Sequence, residues 1–505
     1  MTPAQRIVVN TLAQYARLLF RVIISLYSTR LILNALGQTD FGIYSLVAGT
    51  VVMLGFITNA MVITTQRHLS YSYGKKDIGK VRATFSNCLL LHMMIVVALA
   101  VVLIALKPLL FSKVLVIDEG RIEAAMWVYC FMAISLCLTF IIAPYRALFI
   151  ARENIVYISI VDVTDSFLRL LIAIALYHVT ADRLATYGCL MMLISVFNYF
   201  ALAVFGRFHF AECLLLPRHR DVDWRQMKSI VGFAGWTIYS MGCVLGRSQG
   251  MAILLNRFFG TIINTAYGIS NQVFASVQFV AQSVINAMSP QIIKSEGAGD
   301  RQRMLLFAGY VSKFSLLLLG MAVIPIVFEL PGILKVWLGD VPQSTVTLCS
   351  FILITSLCDQ TTIGLNVANQ AIGKIRTYSL CINTTKLLTL LIGWLCLRHT
   401  YSVTAVMTCY LSLEIICAIA RLPFLKYTAG LSIRWYLSFV ILPALFPLGS
   451  MILVSWIFVN YVDLPLRFLF TFATSVVVGV AMIWLTCLDK KEHSLVMSFI
   501  RRRRK

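Results

Sequence analysis

Residues 7–36 read IVVNTLAQYARLLFRVIISLYSTRLILNAL, and this stretch decides the fold. It is apolar over most of a helical surface and longer than the roughly 20 residues that a helix needs to cross a bilayer. At 100° per residue, Asn10, Gln14, Arg17, Arg21, Ser25 and Ser28 fall within about 80° of one another, a polar stripe down one face. Arginine at that depth costs several kcal/mol on insertion scales unless it faces a wet cavity or a partner. Two readings follow: a water-filled lumen built to hold an anion, or a structural ion pair inside a helix bundle. The stretch runs on into GQTDFGIYSL (37–46), a tight polar elbow before the next apolar run.

The rest of the chain agrees with a membrane setting. Of 505 residues, 59% are hydrophobic and 13% charged, a balance that identifies a polytopic membrane protein rather than a soluble domain. The net charge of +22 belongs to loops at the membrane surface, and no basic domain outside the spans is available for nucleic acid. No cleavable signal is expected, because the first segment is too long and carries arginines in its core. The 13 cysteines are scattered without a Cys-x-x-Cys pair, so neither metal, cofactor nor disulfide framework is expected.

Apolar runs predict an all-α protein of about 14 transmembrane helices, near 7–36, 41–63, 83–106, 124–146, 154–177, 184–206, 227–256, 261–290, 306–328, 345–371, 376–397, 402–422, 435–459 and 466–488. With both termini cytoplasmic, inner segments carry 28 of the 43 lysines and arginines and outer segments 8, a strong positive-inside bias. The chain also repeats. Gly74-x-x-Asp77 matches Gly297-x-x-Asp300 at an offset of 223 residues, and Tyr157 and His178 match Tyr378 and His399 at 221. An even span count per repeat predicts two six-helix lobes related by a pseudo-two-fold axis along the membrane normal. The expected organisation is an N-terminal lobe (1–206), a cytoplasmic inter-lobe loop (207–226), a C-terminal lobe (227–426), two extra spans (427–488) and a basic cytoplasmic tail (489–505).

TRLILNALGQTDFGIYSL (29–46) and SPQIIKSEGAGD (289–300), with the 6+6+2 arrangement, resemble the Wzx-type polysaccharide flippases of the multidrug/oligosaccharidyl-lipid/polysaccharide exporter superfamily. The resemblance implies two lobes around a cavity that opens alternately to each side of a bacterial inner membrane. It implies a substrate of oligosaccharide on undecaprenyl pyrophosphate, an O-antigen or capsule repeat unit in the lipopolysaccharide manner, moved from the cytoplasmic to the periplasmic leaflet. Glycosyltransferases and a glycan polymerase are the implied pathway partners. A cationic lumen is a trait of the group, and Arg17 and Arg21 stand where basic residues of the first span are expected.

Candidate binding residues lie on polar helix faces. Arg247 lies on a face with Trp236, Ser240, Cys243 and Gly250 in the seventh span, the counterpart of the arginine pair. Asn271, Gln278 and Gln282 form a stripe in the eighth span, and amides suit sugar hydroxyls because each offers a donor and an acceptor. With Asn10 and Gln14 they are the candidate substrate contacts, interhelical hydrogen bonding being the competing reading. The expected spans contain seven cations (Arg17, Arg21, Arg30, Arg169, Arg247, Lys313, Lys386) against four carboxylates (Asp162, Asp165, Asp359, Glu414), which suits an anionic substrate. Asp165 and Arg169, four apart, are expected to pair. Asp162 and Asp359 are the candidates for binding protons or sodium ions during the cycle. Two other readings stay open. A drug or cation antiporter of the same fold would favour an acidic cavity. A membrane enzyme of glycan assembly, a polymerase or ligase, would need outer catalytic loops, and those near 107–123 and 329–344 hold no paired carboxylates with a positioned partner. No Gly-x-x-x-x-Gly-Lys-Ser/Thr loop is present for ATP.

Overall fold

The computed structural model describes residues 55–111, 119–217, 219–338, 340–464 and 466–488, with scattered positions between 20 and 47. All regular structure among the described residues is helical. The main helices are α1 (Gly55–Gly74), α2 (Ile78–Leu109), α3 (Ile122–Ala151), α4 (Ile155–Ala175), α5 (Arg183–His209), α6 (Trp224–Gly297), α7 (Arg301–Leu338), α8 (Thr345–Gln360), α9 (Ile363–Ile372), α10 (Ile375–Thr400), α11 (Val403–Ala429), α12 (Ile433–Tyr461) and α13 (Arg467–Cys487).

Short polar residues set the helix starts. The side-chain oxygens of Asp77, Asp182 and Asp223 accept from the N–H groups of Lys80 (3.1 Å), Ala185 (2.9 Å) and Gln226 (3.3 Å), satisfying donors that a first turn leaves free. Asp300 does the same for Arg303 N–H (3.0 Å), so the two Gly-x-x-Asp motifs of the repeat have one local structure. In each, a helix ends at the glycine and the aspartate caps the next. Gly260, at φ +78°, ψ −167°, breaks α6 into two limbs without an intervening loop.

Among the described residues, nine helices are long and apolar enough to cross a membrane, or ten if α8 and α9, bent by 48° at Thr361–Thr362, form one broken span. The sequence expectation of fourteen is therefore not reached within them. Most of the first expected span and much of the second lie outside the described residues. The more polar helices, α4 with Asp162, Asp165 and Arg169 and the second limb of α6, are the weaker span candidates. The pseudo-two-fold relation rests on the sequence repeat alone.

The chain forms two compact units, one of residues up to Met241 plus Ile293–Gly299, the other of Gly242–Ile292 plus Asp300 onward. In the first, α3 packs against α1, α2 and α5 around buried Phe85, Leu89, Tyr145, Leu148 and Phe149. In the second, α7 is central, packed by α8, α9, α12 and α13, while α10 and α11 pair beside α8. Lipid tails are as apolar as leucine, so close backbone approach and polar ties must fix these contacts. Glu329 of α7 accepts from Arg467 Nε (3.0 Å) and Thr471 Oγ1 (2.8 Å), fastening α13 to α7. Gly364 lets α9 lie directly on α7, where its N–H donates to Ser312 Oγ (2.9 Å) and a Cβ would overlap the Ala308 carbonyl. Gly364→Val is expected to push these helices apart at a cost of about 1–3 kcal/mol, read as a lower midpoint of thermal unfolding in detergent against an unchanged Gly449→Ala control.

Candidate functional site

The second unit buries five charged side chains together. Arg247 comes from the first limb of α6, Asp359 from the end of α8, Lys386 from α10, and Glu414 and Arg421 from α11. Glu414 and Arg421, seven residues apart, share a helix face. Lys386 follows a π-helical turn at Ser379–Asn383, a local widening that re-aims the side chains after it. Asp359 precedes the Thr361–Thr362 break by one turn or less, so the helix interruption sits at the cluster.

The contacts form a closed set. Glu414 is gripped on both oxygens: Arg247 Nη1 donates to Oε2 at 2.6 Å, and Lys386 Nζ lies 2.6 Å from Oε1. Asp359 Oδ1 receives Arg421 Nη2 at 2.7 Å and Lys386 Nζ at 3.1 Å. Arg421 Nη1 also donates to the Asp359 carbonyl (3.3 Å) and to Thr362 Oγ1 (3.2 Å), satisfying backbone that the helix break releases. The Arg247 guanidinium lies 4.4 Å from the centre of the Tyr410 ring, one turn before Glu414. Three cations face two carboxylates, leaving one positive charge in surplus. Glu414 is sealed, with 1% of its side chain exposed, whereas Asp359 is 22% exposed and is the cluster's opening to its surroundings.

Such a set can hold an anion against its surplus charge or pass a proton through its open carboxylate. Taking charges out of water costs several kcal/mol each, so the contacts must be near-complete for the site to persist. The bent pair α8–α9 has the form that transporters use at binding sites, a discontinuous helix whose freed backbone faces polar groups.

The sequence-derived candidates fall in different places. Asp359 and Arg247 are brought together here, and Arg247 donates to Glu414. Asp162 lies in the first unit and accepts from Arg146 Nη2 at 2.6 Å. Asp165 pairs with Arg169 (2.7 Å) as its spacing predicts, and also accepts from Asn198 Nδ2 (2.7 Å). Asn271 and Gln282 hydrogen-bond within their own helix, to Tyr267 O (3.0 Å) and Asn286 Oδ1 (2.9 Å), while Gln278 keeps a buried Oε1 without a hydrogen-bond partner among the described residues. Asn10, Gln14, Arg17 and Arg21 lie outside the described residues.

Arg146 sits within α3 and Arg421 within α11, each at the end of an expected span. Glu329, expected beyond a span, lies within α7. Each is bonded to an opposite charge, which apolar-run boundaries cannot show. The juxtaposition of Lys386 with Glu414 and Asp359 also escaped the sequence.

No family model matches the chain, and no curated protein matches it. Solved structures do. A MOP superfamily transporter from Pyrococcus furiosus superposes with a TM-score of 0.70 at 12% identity, covering 85% of this chain and 96% of that one. The MATE transporter ClbM in complex with Rb+ gives 0.70 at 13%, over 86% and 96%. Vibrio cholerae MATE transporter VcmN in its bent form gives 0.67 at 16%, over 87% and 100%. This is the fold of the MATE transporters. With its apolar helices, the MATE-fold chain is a multi-pass membrane protein. At these identities the likeness concerns the backbone alone.

Removing one partner of a buried pair leaves the other charge uncompensated, at about 3–5 kcal/mol. Glu414→Gln, which strands both Arg247 and Lys386, is expected to lower thermal stability in detergent more than Asp359→Asn. The double change Arg247→Met with Glu414→Gln should recover part of the loss in a double-mutant cycle.

Proposed function

We propose that this protein is a carrier, not an enzyme, that moves oligosaccharide linked to undecaprenyl pyrophosphate from the cytoplasmic to the periplasmic leaflet of a bacterial inner membrane. The observation that carries this reading is the positive surplus of the buried cluster, with three cations against two carboxylates at a broken helix. A pyrophosphate or acidic sugar complements such a site, and arginine offers the forked donor geometry that phosphate oxygens accept. Arg17 and Arg21 add two further cations in the sequence of the first span. The Pyrococcus furiosus MOP superfamily transporter is described as having a binding pocket of reverse polarity that suggests a different function.

Asp359 gives the cluster a coupling device. Protonating it would raise the surplus from one positive charge to two and release Lys386 and Arg421 toward an anion; deprotonating it would re-form the pairs and weaken the hold. Sodium is disfavoured at this carboxylate because two cations already occupy Oδ1. Asp162, paired with Arg146, is the second candidate. Both termini would be cytoplasmic, and glycosyltransferases and a polymerase would act before and after the carrier.

A second reading has its own support. The similar structures include MATE transporters, one bound to Rb+, and a partly exposed buried carboxylate is what a drug or cation antiporter would use. Deletion of the gene separates the two. The glycan reading expects loss of surface glycan with lipid-linked units accumulating inside; the antiporter reading expects intact glycan and faster accumulation of cationic dyes. Within the glycan reading, Arg17→Ala, Arg21→Ala and Asp359→Asn are each expected to reduce glycan display at normal expression. Full display by all three would sink the charged-lumen mechanism.

A further inference from the structure

Between α5 and α6 the chain reads RFHFAECLLLPRHRDVDWRQ (207–226), rich in arginine, leucine and aromatic residues. Its inward half is built into the first unit. Glu212 and Cys213 are fully buried and Leu214 nearly so. Glu212 accepts from Tyr73 Oη and from Arg152 Nε (2.6 Å), and Tyr145 Oη donates to the Leu214 carbonyl (3.0 Å). Cys213 lies against Gly206, where a Cβ would stand 3.0 Å from the sulfur. At the other end, Asn87 Nδ2 donates to the Asp221 carbonyl (3.1 Å), and Asn87 Oδ1 accepts from the Asp223 N–H (3.1 Å). These ties fix the segment against α1, α2 and α3.

What the anchoring leaves outside is apolar and cationic. Phe208 is 81% exposed, Leu216 71% and Trp224 68%, and Arg207, Arg220 and Arg225, close to them in sequence, are exposed as well. The carboxylates of the stretch are directed elsewhere. Glu212 is inside, Asp221 Oδ2 is buried, and Asp223 Oδ1 accepts from the N–H groups of Arg225 (2.9 Å) and Gln226 (3.3 Å). None of the three arginines makes an ion pair among the described residues. The level of this face is set by its neighbours: α5 ends at His209, the first limb of α6 starts at Trp224, and both are long and apolar enough to cross a membrane. Phe208 and Trp224 therefore stand at span ends, where hydrocarbon gives way to headgroups and aromatic rings collect. That layer offers acyl chains to the leucine and the rings, and phosphates to the guanidiniums.

We propose that the outer face of the 207–226 segment is seated in the membrane surface, with Phe208, Leu216 and Trp224 in the acyl boundary and Arg207, Arg220 and Arg225 on the phosphates of anionic lipids. The charge of the face selects anionic over zwitterionic lipid, because a zwitterionic headgroup carries its own ammonium and returns no net attraction. A soluble protein is the weaker occupant: to cover Phe208 and Trp224 it would have to enter the layer where the spans leave the hydrocarbon. Because Glu212, Leu214 and Asp221 tie the segment to three helices, lipid held on its outer face holds the first unit at one depth in the bilayer.

The test uses the full-length protein, with its native cysteines replaced and Leu216→Cys carrying a nitroxide, reconstituted in vesicles of phosphatidylcholine with and without phosphatidylglycerol. Seating predicts that molecular oxygen relaxes the label more than a water-soluble nickel chelate does. A label reached better by the chelate in both vesicles would overturn insertion and leave the face to a partner in water. A second arm keeps the native cysteines and places a fluorescent non-natural amino acid at position 216. Phosphatidylglycerol with brominated acyl chains is expected to quench it at least about threefold more than the same fraction of brominated phosphatidylcholine. Arg207→Gln with Arg220→Gln and Arg225→Gln, in samples with an unchanged size-exclusion profile, is expected to abolish the difference. Equal quenching by the two lipids in the parental protein, or a preference that survives the three substitutions, would overturn the anionic-lipid contact. Neither arm needs a transported substrate, so the outcome is independent of the glycan reading.

Discussion

A carboxylate with 1% of its surface exposed must be met by opposite charge, and Glu414 is met twice, by Arg247 and by Lys386. In a medium that cannot solvate ions, this requirement ties α6, α10 and α11 to one another and, through Asp359 and Arg421, to the end of α8. The broken helix α8–α9 depends on the same set, because Arg421 supplies donors to the Asp359 carbonyl and to Thr362 where the helix leaves its own ladder. Charge pairing thus ties these four helices to one another.

The same rule is met differently in the first unit. Among the described residues of the first unit, Arg146 pairs with Asp162, Arg169 with Asp165, which also accepts from Asn198, and Glu212 accepts from Tyr73 and Arg152. Asp165 aligns with Lys386, and that single reversal puts a cation where the second unit gathers two carboxylates.

Small residues place what the charges then fix. Gly364 brings α9 onto α7, Gly260 turns α6 without a loop, and Gly74 and Gly297 allow two helix ends to cross at backbone distance. In a membrane, where apolar burial gives helices no preference for one another over lipid, such approaches and the polar ties beside them carry the specificity. Glu329, reached by Arg467 and Thr471, shows the same logic at the end of α13.

The sequence by itself determined the class of the protein: apolar run length, the positive-inside bias and the Gly-x-x-Asp repeat are local or additive properties that need no coordinates. It also located the i,i+4 pair Asp165–Arg169 and singled out Asp359 and Arg247, since spacing on one helix fixes a face. Only the tertiary structure decided which faces meet. The pairing of Arg247 with Glu414 joins residues 167 apart in sequence, which no single helix face shows. Arg146, Arg421 and Glu329 lay at or beyond the edges of apolar runs, where hydropathy cannot tell a loop charge from a buried one. The ion pair of Glu153 with Lys294 likewise joins residues far apart in sequence. Pairing across helices is set by packing, and packing is a property of the whole fold.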